Sequence, residues 1–283
     1  MQKMIVRLLG KMYRSLFIVP VSITMHRLQN RLFGRRTDDE PAPLRHPIDS
    51  QYGIDTSGVI SYTQLSSGKA ADKYNICYGG SQPSIIRKTL AGLANHHALT
   101  FLDLGCGKGR ALAVASEFPF RRIVGVELAP SLVSIAKANA EVLRSKFPDR
   151  TPIEVVEGDV LAVPIPTGSV VVYFYHPFYR GMMKKVARKI EKFVKSNSGI
   201  DVFVIYYNPV YFDIFDRSKK FRRIFAKTIE FEPGEKGTGP SYHDESDAIA
   251  VWRSADGATA DLSPRSYAEI KVVPPGWRAF VVK

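Results

Sequence analysis

The residues best placed to do chemistry lie in a glycine-rich loop that directly follows a short apolar run. Residues 101–110 read FLDLGCGKGR, so that Gly105, Gly107 and Gly109 alternate with other residues just after Asp103. Glycine lets the backbone turn tightly and lets a ligand approach the main chain closely. In an open α/β sheet, ligands bind beyond the carboxyl ends of the strands, beside such a loop. The loop therefore predicts a binding site for a nucleotide-like cofactor.

Three kinds of cofactor loop have this general composition. A P-loop requires Gly-Lys-Ser/Thr, but Gly109 follows Lys108 in this chain. A dinucleotide-binding loop requires a third glycine at the position that Arg110 occupies. The remaining pattern, an acidic residue two positions before G-x-G-x-G, resembles motif I of the class I S-adenosylmethionine-dependent methyltransferases. This resemblance implies that S-adenosyl-L-methionine is the cofactor.

The resemblance covers about residues 74–253 and implies roles for residues at further strand ends. Glu127 would accept hydrogen bonds from the ribose hydroxyls, although a dinucleotide enzyme also places a carboxylate there. Asp159 would hold the adenine amino group, or it could be a helix N-cap. Tyr74 and Tyr78 lie in a segment that looks like the one that closes over the methionine end of the cofactor in some protein lysine methyltransferases; they could equally pack a helix onto the sheet. The implied cofactor-binding residues are Asp103, Gly105, Cys106, Gly107, Gly109, Glu127, Leu128, Asp159, Val160, Tyr175, Tyr74 and Tyr78.

The fourth predicted strand ends in Tyr175-His176-Pro177-Phe178, where this family has its substrate-facing motif. Amine-directed members typically carry [DN]-P-P-[FYW] there, so this sequence keeps one proline and the aromatic residue but lacks the Asn or Asp. His176 could relay a proton, or its ring could only hydrogen-bond the backbone. Asn208, after the fifth strand, could offer its amide oxygen to an amine. The predicted catalytic residues are His176, Tyr175, Phe178 and Asn208.

The resemblance implies methyl transfer by in-line displacement, in which the protein mainly positions the acceptor and excludes water. We expect a nitrogen acceptor, in a protein lysine or a small-molecule amine, ahead of nucleic acid. Two alternatives stay open: a catalytically silent adenosyl-binding module that acts through a basic surface, and a nucleic-acid methyltransferase. The sequence has no Cys/His cluster, so no metal is expected.

Hydropathy patterning predicts the scaffold that positions these residues. Apolar runs alternate with amphipathic helical segments, which is typical of a parallel sheet covered on both faces. The runs are Leu99–Leu104, Arg122–Glu127, Ile153–Val156, Val170–Tyr175 and Val202–Tyr207, and the helical segments are 84–93, 111–116, 131–146 and 181–195. Four further strands without intervening helices are predicted at Phe225–Phe231, Ala248–Trp252, Ile270–Val273 and Trp277–Val282. We therefore predict an α/β fold: a doubly wound, mostly parallel Rossmann-like sheet with an antiparallel edge strand, an N-terminal helical extension and a C-terminal β-hairpin.

The composition divides the chain into four parts. Residues 1–50 form a basic N-terminal extension and a linker, the linker being the Pro-rich and acidic stretch 37–50. Residues 51–98 form a lid and helical segment, in front of a cofactor-binding domain at 99–253. Residues 254–283 form a C-terminal β extension.

The formal net charge of +13 is unevenly distributed. Residues 1–36 hold eight Lys or Arg and no acidic residue, and residues 180–195 hold seven basic residues against one acid. Each block could be a solvated helix face, or it could dock on an anionic surface or an acidic partner. Lys108 and Arg110 are interpreted as ordinary solvated charges, and Cys106 as a small filler residue.

Composition also excludes several classes of protein. An apolar content of 45% excludes wholesale disorder, and two cysteines cannot build a disulfide framework. A cytoplasmic location is therefore expected, and the basic N-terminus is compatible with peripheral association with a membrane. Residues 1–36 lack a clear signal-peptide cleavage site, and no apolar run reaches the roughly 18 residues of a transmembrane helix.

Overall fold

The computed structural model describes residues 45–60, 78–238 and 245–255. The predicted N-terminal extension up to residue 44, Tyr74 and the two strands predicted beyond residue 255 lie outside these ranges.

A seven-stranded sheet forms the centre of the described part of the chain. After a two-stranded ribbon of β1 (Val59–Ile60) and β2 (Tyr78–Gly79), the sheet strands are β3 (Thr100–Leu104), β4 (Arg122–Glu127), β5 (Ile153–Glu157), β6 (Val170–Tyr175), β7 (Val202–Tyr207), β8 (Phe221–Glu230) and β9 (Ser246–Ser254). Their spatial order is β5-β4-β3-β6-β7-β9-β8. The pairs from β5 to β7 are parallel, whereas β9 pairs antiparallel with both β7 and β8. This confirms the predicted class, a mostly parallel sheet with antiparallel pairing at one edge.

Helices cover both faces of this sheet. They are α1 (Pro47–Tyr52), α2 (Pro83–Leu90), α3 (Arg110–Ala115), α4 (Pro130–Lys146), α5 (Arg180–Ser196) and the short α6 (Asp213–Asp216). The apolar residues of α2 and α3 belong to the core cluster on one face, and those of α5 belong to the cluster on the other. A strand between two such layers must be apolar along its whole length. Residues 170–174 of β6 are accordingly fully buried.

The connections of the sheet place several strand ends at one point. From β3 the chain moves outward to β4 and β5, and it then returns to the other side of β3 to form β6 and β7. The carboxyl ends of β3 and β6 thus flank the switch point at which doubly wound sheets bind ligands. The glycine-rich loop follows β3 directly.

The predicted linker does not extend to residue 50. Helix α1 begins at Pro47, and its Ile48 and Tyr52 are buried in the core of the domain. The Tyr52 hydroxyl donates a hydrogen bond to Glu117 at 2.7 Å. Residues 47–50 are assigned to the linker from the sequence because they follow a Pro-rich and acidic stretch, but they belong to a helix that packs on the domain.

Candidate active site

A cleft opens at the carboxyl ends of β3, β4 and β6. It encloses about 860 Å³, a volume that includes space open to solvent. The sequence-predicted residues that line it are Tyr78, Asp103, Gly105, Cys106, Gly107, Glu127, Leu128, Asp159, Val160, Tyr175 and Phe178. Among the predicted residues that the structure describes, it leaves Gly109, His176 and Asn208 outside the cleft lining.

Gly107 has to be glycine because Tyr78 lies directly against it. Its φ is +55°, and a Cβ atom at this position would stand 2.4 Å from Cε2 of Tyr78. Gly109 has a different role: with φ at +85° it is the N-cap residue of α3 and turns the chain into that helix. The first two glycines of the loop therefore expose main chain to the cleft, whereas the third sets the direction of the helix.

Glu127, at the end of β4, shapes the loop through its carboxylate. One oxygen accepts a hydrogen bond from the Gly107 N–H at 2.9 Å, and the other accepts from Leu128 and Ala129 at 2.8 and 2.9 Å. Burial nevertheless raises the pKa of Glu127, although these three bonds act in the opposite direction. A carboxylate has about four lone-pair sites, so it retains acceptor capacity for ligand hydroxyls.

Asp103 is the least compensated acid of the site. It ends β3 with an exposed fraction of 2%, and no residue of the described ranges donates a hydrogen bond to its carboxyl group. Burial, and then the charge of Glu127, raises its pKa well above the usual range. A buried polar group without a partner is costly, so this carboxyl group is suited to a ligand that supplies a donor or a positive charge.

Asp159 makes a capping bond and also lines the cleft, so its predicted contact with the adenine amino group stays a prediction. It is exposed and lines the cleft, and its Oδ1 accepts a hydrogen bond from the Leu161 N–H at 2.8 Å. It therefore caps the turn after β5 while its carboxylate faces the cleft.

Aromatic side chains line the side of the cleft formed by β6. Tyr173, Tyr175 and Phe178 all contribute to it. The Tyr173 hydroxyl donates a hydrogen bond to Ser81 Oγ at 2.8 Å, and the Tyr175 ring packs edge-on against Tyr207 with centroids 4.4 Å apart. These contacts fix the aromatic rings, so they form a rigid wall.

His176 and Asn208 are not brought to the cleft, and the reason is the same for both. Each stands between a tyrosine and a proline at a strand end and adopts a left-handed backbone, with φ values of +36° and +47°. The His176 ring makes a 2.6 Å hydrogen bond with the Tyr206 hydroxyl and packs beside Tyr211. Asn208 is buried, and its N–H donates to the Ala248 carbonyl at 2.7 Å. In the structure both are residues of turns.

Arg110 and Lys108, which the sequence analysis interprets as solvated, are buried and donate hydrogen bonds within the protein. Arg110 donates from Nε to Thr56 Oγ1 and from Nη2 to the Thr56 carbonyl, both at 2.8 Å. Lys108 donates to Asp55 Oδ1 at 2.9 Å and to the Ser57 carbonyl at 2.8 Å. The glycine loop is therefore bound to residues 46–57, a segment that we term the strap.

The strap is organised around one carboxylate. Asp49 accepts hydrogen bonds from the N–H groups of Thr56 and Ser57 at 3.0 and 2.9 Å, and also from both hydroxyls. These bonds hold the pKa of Asp49 below its usual value although burial acts to raise it. The Thr56 carbonyl in turn accepts the Tyr78 hydroxyl at 2.6 Å. The sequence predicts a lid and helical segment at residues 51–98, but nothing in it points to Arg110 as the partner of the strap.

The cleft has an acidic and aromatic lining. Asp103, Glu127 and Asp159 contribute carboxyl groups, and among the described lining residues Arg110 is the one cation. Its guanidinium is directed at Thr56, Ser57 and the Ser81 carbonyl, so its hydrogen bonds are made within the protein. Exposed glycine main chain, an uncompensated carboxyl group and the free capacity of Glu127 fit the adenosyl group and sulfonium of S-adenosylmethionine.

The described residues contain no helix long and apolar enough to cross a membrane. Within the same ranges, no group of three or more His, Cys, Asp or Glu side chains is arranged to hold a metal ion.

Comparison with known proteins agrees with the motif. Residues 101–197 match the sequence family described as "Methyltransferase domain", which confirms the resemblance and shows a domain that transfers methyl groups from S-adenosylmethionine. No curated protein sequence matches the chain significantly.

Solved structures with a similar fold include several methyltransferases. An RNA methyltransferase from Salinibacter ruber in complex with S-adenosyl-L-homocysteine is 20% identical, with 65% of this chain and 99% of that chain covered and a TM-score of 0.40. TrmN from Thermus thermophilus is 14% identical, with coverages of 61% and 48% and a TM-score of 0.43. The 23S rRNA methyltransferase ErmE is 16% identical, with coverages of 60% and 67% and a TM-score of 0.38. These values are too low to transfer an acceptor to this chain.

Proposed function

We propose that this protein, an S-adenosylmethionine-dependent methyltransferase, transfers the methyl group to a neutral nitrogen atom. The observation that carries the proposal is the lining of the cleft: carboxyl groups and aromatic rings, with the one lining cation, Arg110, engaged by the protein itself. Such a lining favours positive charge and disfavours negative charge in the cleft.

The charge balance of the reaction supports a nitrogen acceptor. S-adenosylmethionine supplies, when bound, a methyl group on a positively charged sulfur, and transfer to a neutral nitrogen moves that charge to the nitrogen without changing the total. An acidic lining stabilises the cation before and after transfer. A phenolate or carboxylate acceptor would have to enter as an anion beside Asp103, Glu127 and Asp159, which repel it.

In this proposal different residues bind the cofactor and orient the acceptor. Glu127 and the main chain at Gly107 hold the adenosyl end, and Asp103 faces the positive charge. Tyr175 and Phe178 form a wall that orients the acceptor and excludes water, which favours in-line attack. In this proposal His176 and Asn208 act as positioning residues, since their turns fix the ends of β6 and β7 that carry the aromatic wall.

The experiment uses S-adenosylmethionine with a deuterated methyl group. The full-length protein is incubated with this donor and with a cell extract separated into protein, nucleic acid and small molecules. Each fraction is hydrolysed completely, and the labelled products are identified by mass spectrometry. We expect the label on nitrogen. Label found on oxygen, sulfur or carbon alone would overturn the proposal.

Two glycine variants control this measurement. Gly107→Ala should strongly reduce the labelling when the donor is kept well below saturation, because its Cβ meets Tyr78 at 2.4 Å. Gly181→Ala should leave the labelling unchanged, because a Cβ atom at this position of α5 has no atom within 4 Å in the described structure. Labelling in Gly107→Ala at the level of the unmodified protein would come from a contaminating enzyme and would count against the assignment.

A further inference from the structure

Four basic side chains on α5 form a stripe that the proposed function leaves unused. Lys184, Arg188, Lys192 and Lys195 are exposed and follow one another at intervals of four, four and three residues. Residues at this spacing lie on one face of a helix. None of the four has a hydrogen-bond or ion-pair partner in residues 45–60, 78–238 and 245–255. We call these four residues the cationic stripe.

The acidic groups closest in sequence do not neutralise the cationic stripe. Glu191, the only acid of α5, accepts a hydrogen bond from the Ser218 hydroxyl at 2.5 Å. Asp201, the next acid along the chain, is paired with Arg253, and Asp213 is paired with Arg180. Lys189 is itself set apart from the stripe, since it donates to the Val160 carbonyl at 2.6 Å and burial lowers its pKa. No acidic side chain of the described residues forms an ion pair with the stripe, which keeps a net positive charge.

The position of α5 connects this row to the cleft. Phe178, just before the helix, and Met182, in its first turn, both line the cleft. From Lys184 to Lys195 the stripe runs away from the cleft over about 16 Å, at about 1.5 Å per residue. A row of positive charge thus begins within two turns of a cleft whose lining is acidic and aromatic.

From this arrangement we propose that the substrate is a single-stranded nucleic acid, whose phosphate backbone binds the cationic stripe while one base enters the cleft. The proposal rests on the proposed function and names its substrate class. A nucleic acid carries a group suited to each surface. Its regularly spaced phosphates suit the cationic stripe, and its uncharged heteroaromatic bases suit the cleft. Tyr175, Phe178 and Tyr78 provide aromatic surface on which such a ring can stack.

The protonation state of the acceptor favours a nucleobase over a lysine. A lysine side chain is protonated at neutral pH and must lose a proton before it can attack. His176, the residue that the sequence offered as a proton relay, does not line the cleft. A ring nitrogen of a base is already neutral, so its lone pair forms the C–N bond as the C–S bond breaks. The electron pair of the C–S bond stays on sulfur, and the positive charge ends on the base with no proton transferred.

The test measures binding separately from methyl transfer. A 20-nucleotide single-stranded RNA of mixed sequence, labelled with fluorescein, is titrated with the full-length protein in the presence of S-adenosylhomocysteine, and fluorescence anisotropy is recorded. The stripe variant replaces Lys184, Arg188, Lys192 and Lys195 by serine. The matched control replaces four exposed lysines elsewhere on the domain, namely Lys88, Lys137, Lys146 and Lys236. Thermal melting confirms that both variants are folded.

We expect the stripe variant to bind the RNA at least tenfold more weakly than the control variant. The slope of log K against log salt concentration should fall by about 3, because four phosphate contacts on a single strand each contribute about 0.7. Equal losses in the two variants would overturn the proposal, since only total charge would then matter. Tighter binding of a labelled poly-glutamate peptide than of the RNA would also overturn it, in favour of an acidic protein.

The two proposals fail in different ways. RNA that binds through the stripe but receives label only on oxygen would refute the nitrogen acceptor and leave the stripe standing. A labelled nitrogen in a protein or small-molecule fraction, with no stripe-dependent RNA binding, would refute the nucleic-acid substrate and leave the nitrogen acceptor standing. Label on a ring nitrogen of RNA that is lost in the stripe variant supports both.

Discussion

The carboxyl edge of the sheet has two halves that are built on different principles. In the cofactor half, at the ends of β3 to β5, backbone groups and carboxylates set the geometry: Glu127 binds three N–H groups, and Gly107 lies against Tyr78. In the acceptor half, at the ends of β6 and β7, side-chain rings set it, and each strand ends in a Tyr-x-Pro turn whose middle residue is left-handed. A ligand common to a whole family can be held by main chain, whereas an acceptor must be distinguished by side chains.

The largest effect should come from removing the hydrogen bonds between the strap and Arg110 in the cofactor half. Arg110→Met removes the donors to Thr56 Oγ1 and to the Thr56 carbonyl, both buried. Thr56 keeps its hydroxyl bond to Asp49, and its carbonyl still accepts the Tyr78 hydroxyl, so no acceptor is left without a partner. What is lost is the set of hydrogen bonds from a charged donor, worth about 1.5–3 kcal/mol each, and we therefore expect a loss of about 3 kcal/mol in the free energy of unfolding. Urea denaturation measures it. Arg144→Met, which breaks an exposed pair with Glu141, should cost less than about 0.5 kcal/mol. Similar losses in both variants would mean that the strap does not support the loop.

The glycine loop provides the next test of the difference between the halves. Gly107→Ala should weaken binding of S-adenosylhomocysteine by about 30- to 100-fold, because the new Cβ meets Tyr78 and the backbone is left-handed, a conformation that costs about 1–2 kcal/mol for an L-residue. Calorimetric titration gives the affinity. Gly181→Ala, in the acceptor half, is expected to bind the ligand as the unmodified protein does. An unchanged affinity in Gly107→Ala would contradict the claim that the main chain of the glycine loop binds the cofactor.

The raised pKa of Asp103 predicts that the affinities for S-adenosylmethionine and for S-adenosylhomocysteine depend differently on pH. S-adenosylmethionine carries a sulfonium charge that S-adenosylhomocysteine lacks, and an ionised carboxylate favours the cation. Because burial raises the pKa of Asp103 and of Glu127, both carboxyl groups become ionised at a higher pH than ordinary carboxyl groups do. The affinity for S-adenosylmethionine relative to that for S-adenosylhomocysteine should therefore rise as pH rises.

Calorimetric titration at several pH values measures the two affinities. Both ligands carry the same amino and carboxyl groups, so the titration of those groups affects both affinities equally and cancels in their ratio. Asp103→Asn should flatten the dependence while Asp159→Asn, at an exposed position, should leave most of it in place. A ratio that falls with rising pH would contradict the assignment of Asp103 to the positive charge.

The smallest effect is expected at His176, which would test the acceptor half. Asparagine tolerates a left-handed backbone, so His176→Asn should preserve the turn and leave both the cofactor affinity and kcat within about threefold. His176→Val should instead destabilise the protein, because a β-branched residue is strained at φ of +36°. A loss of kcat of a hundredfold or more in a folded His176→Asn protein, with KM unchanged, would show that the ring takes part in the chemistry.

The sequence predicts the parts of the molecule whose signal is local. The five parallel strands and the motif from Asp103 to Gly109 were predicted because apolar runs and glycine spacing are visible in short windows. The strap was not, because Asp49 and Thr56 are ordinary polar residues until Arg110, more than fifty positions later, folds against them. The two readings of His176, proton relay or structural ring, could not be separated from the sequence for a related reason: its φ and its contact with Tyr206 exist only in the folded chain.

The insertion of β9 between β7 and β8 has a consequence for the order of biosynthesis. The apolar strand β7 (VFVIYY) is complete once residue 207 has been translated, but its second neighbour is residues 249–253 of β9. Until those residues leave the ribosome, β7 presents a free edge of unpaired N–H and C=O groups on a β-branched and aromatic segment. Such edges recruit other nascent chains. A pause in translation after β7 has emerged and before β9 has emerged should therefore lower the yield of folded protein more than an equally long pause after both have emerged.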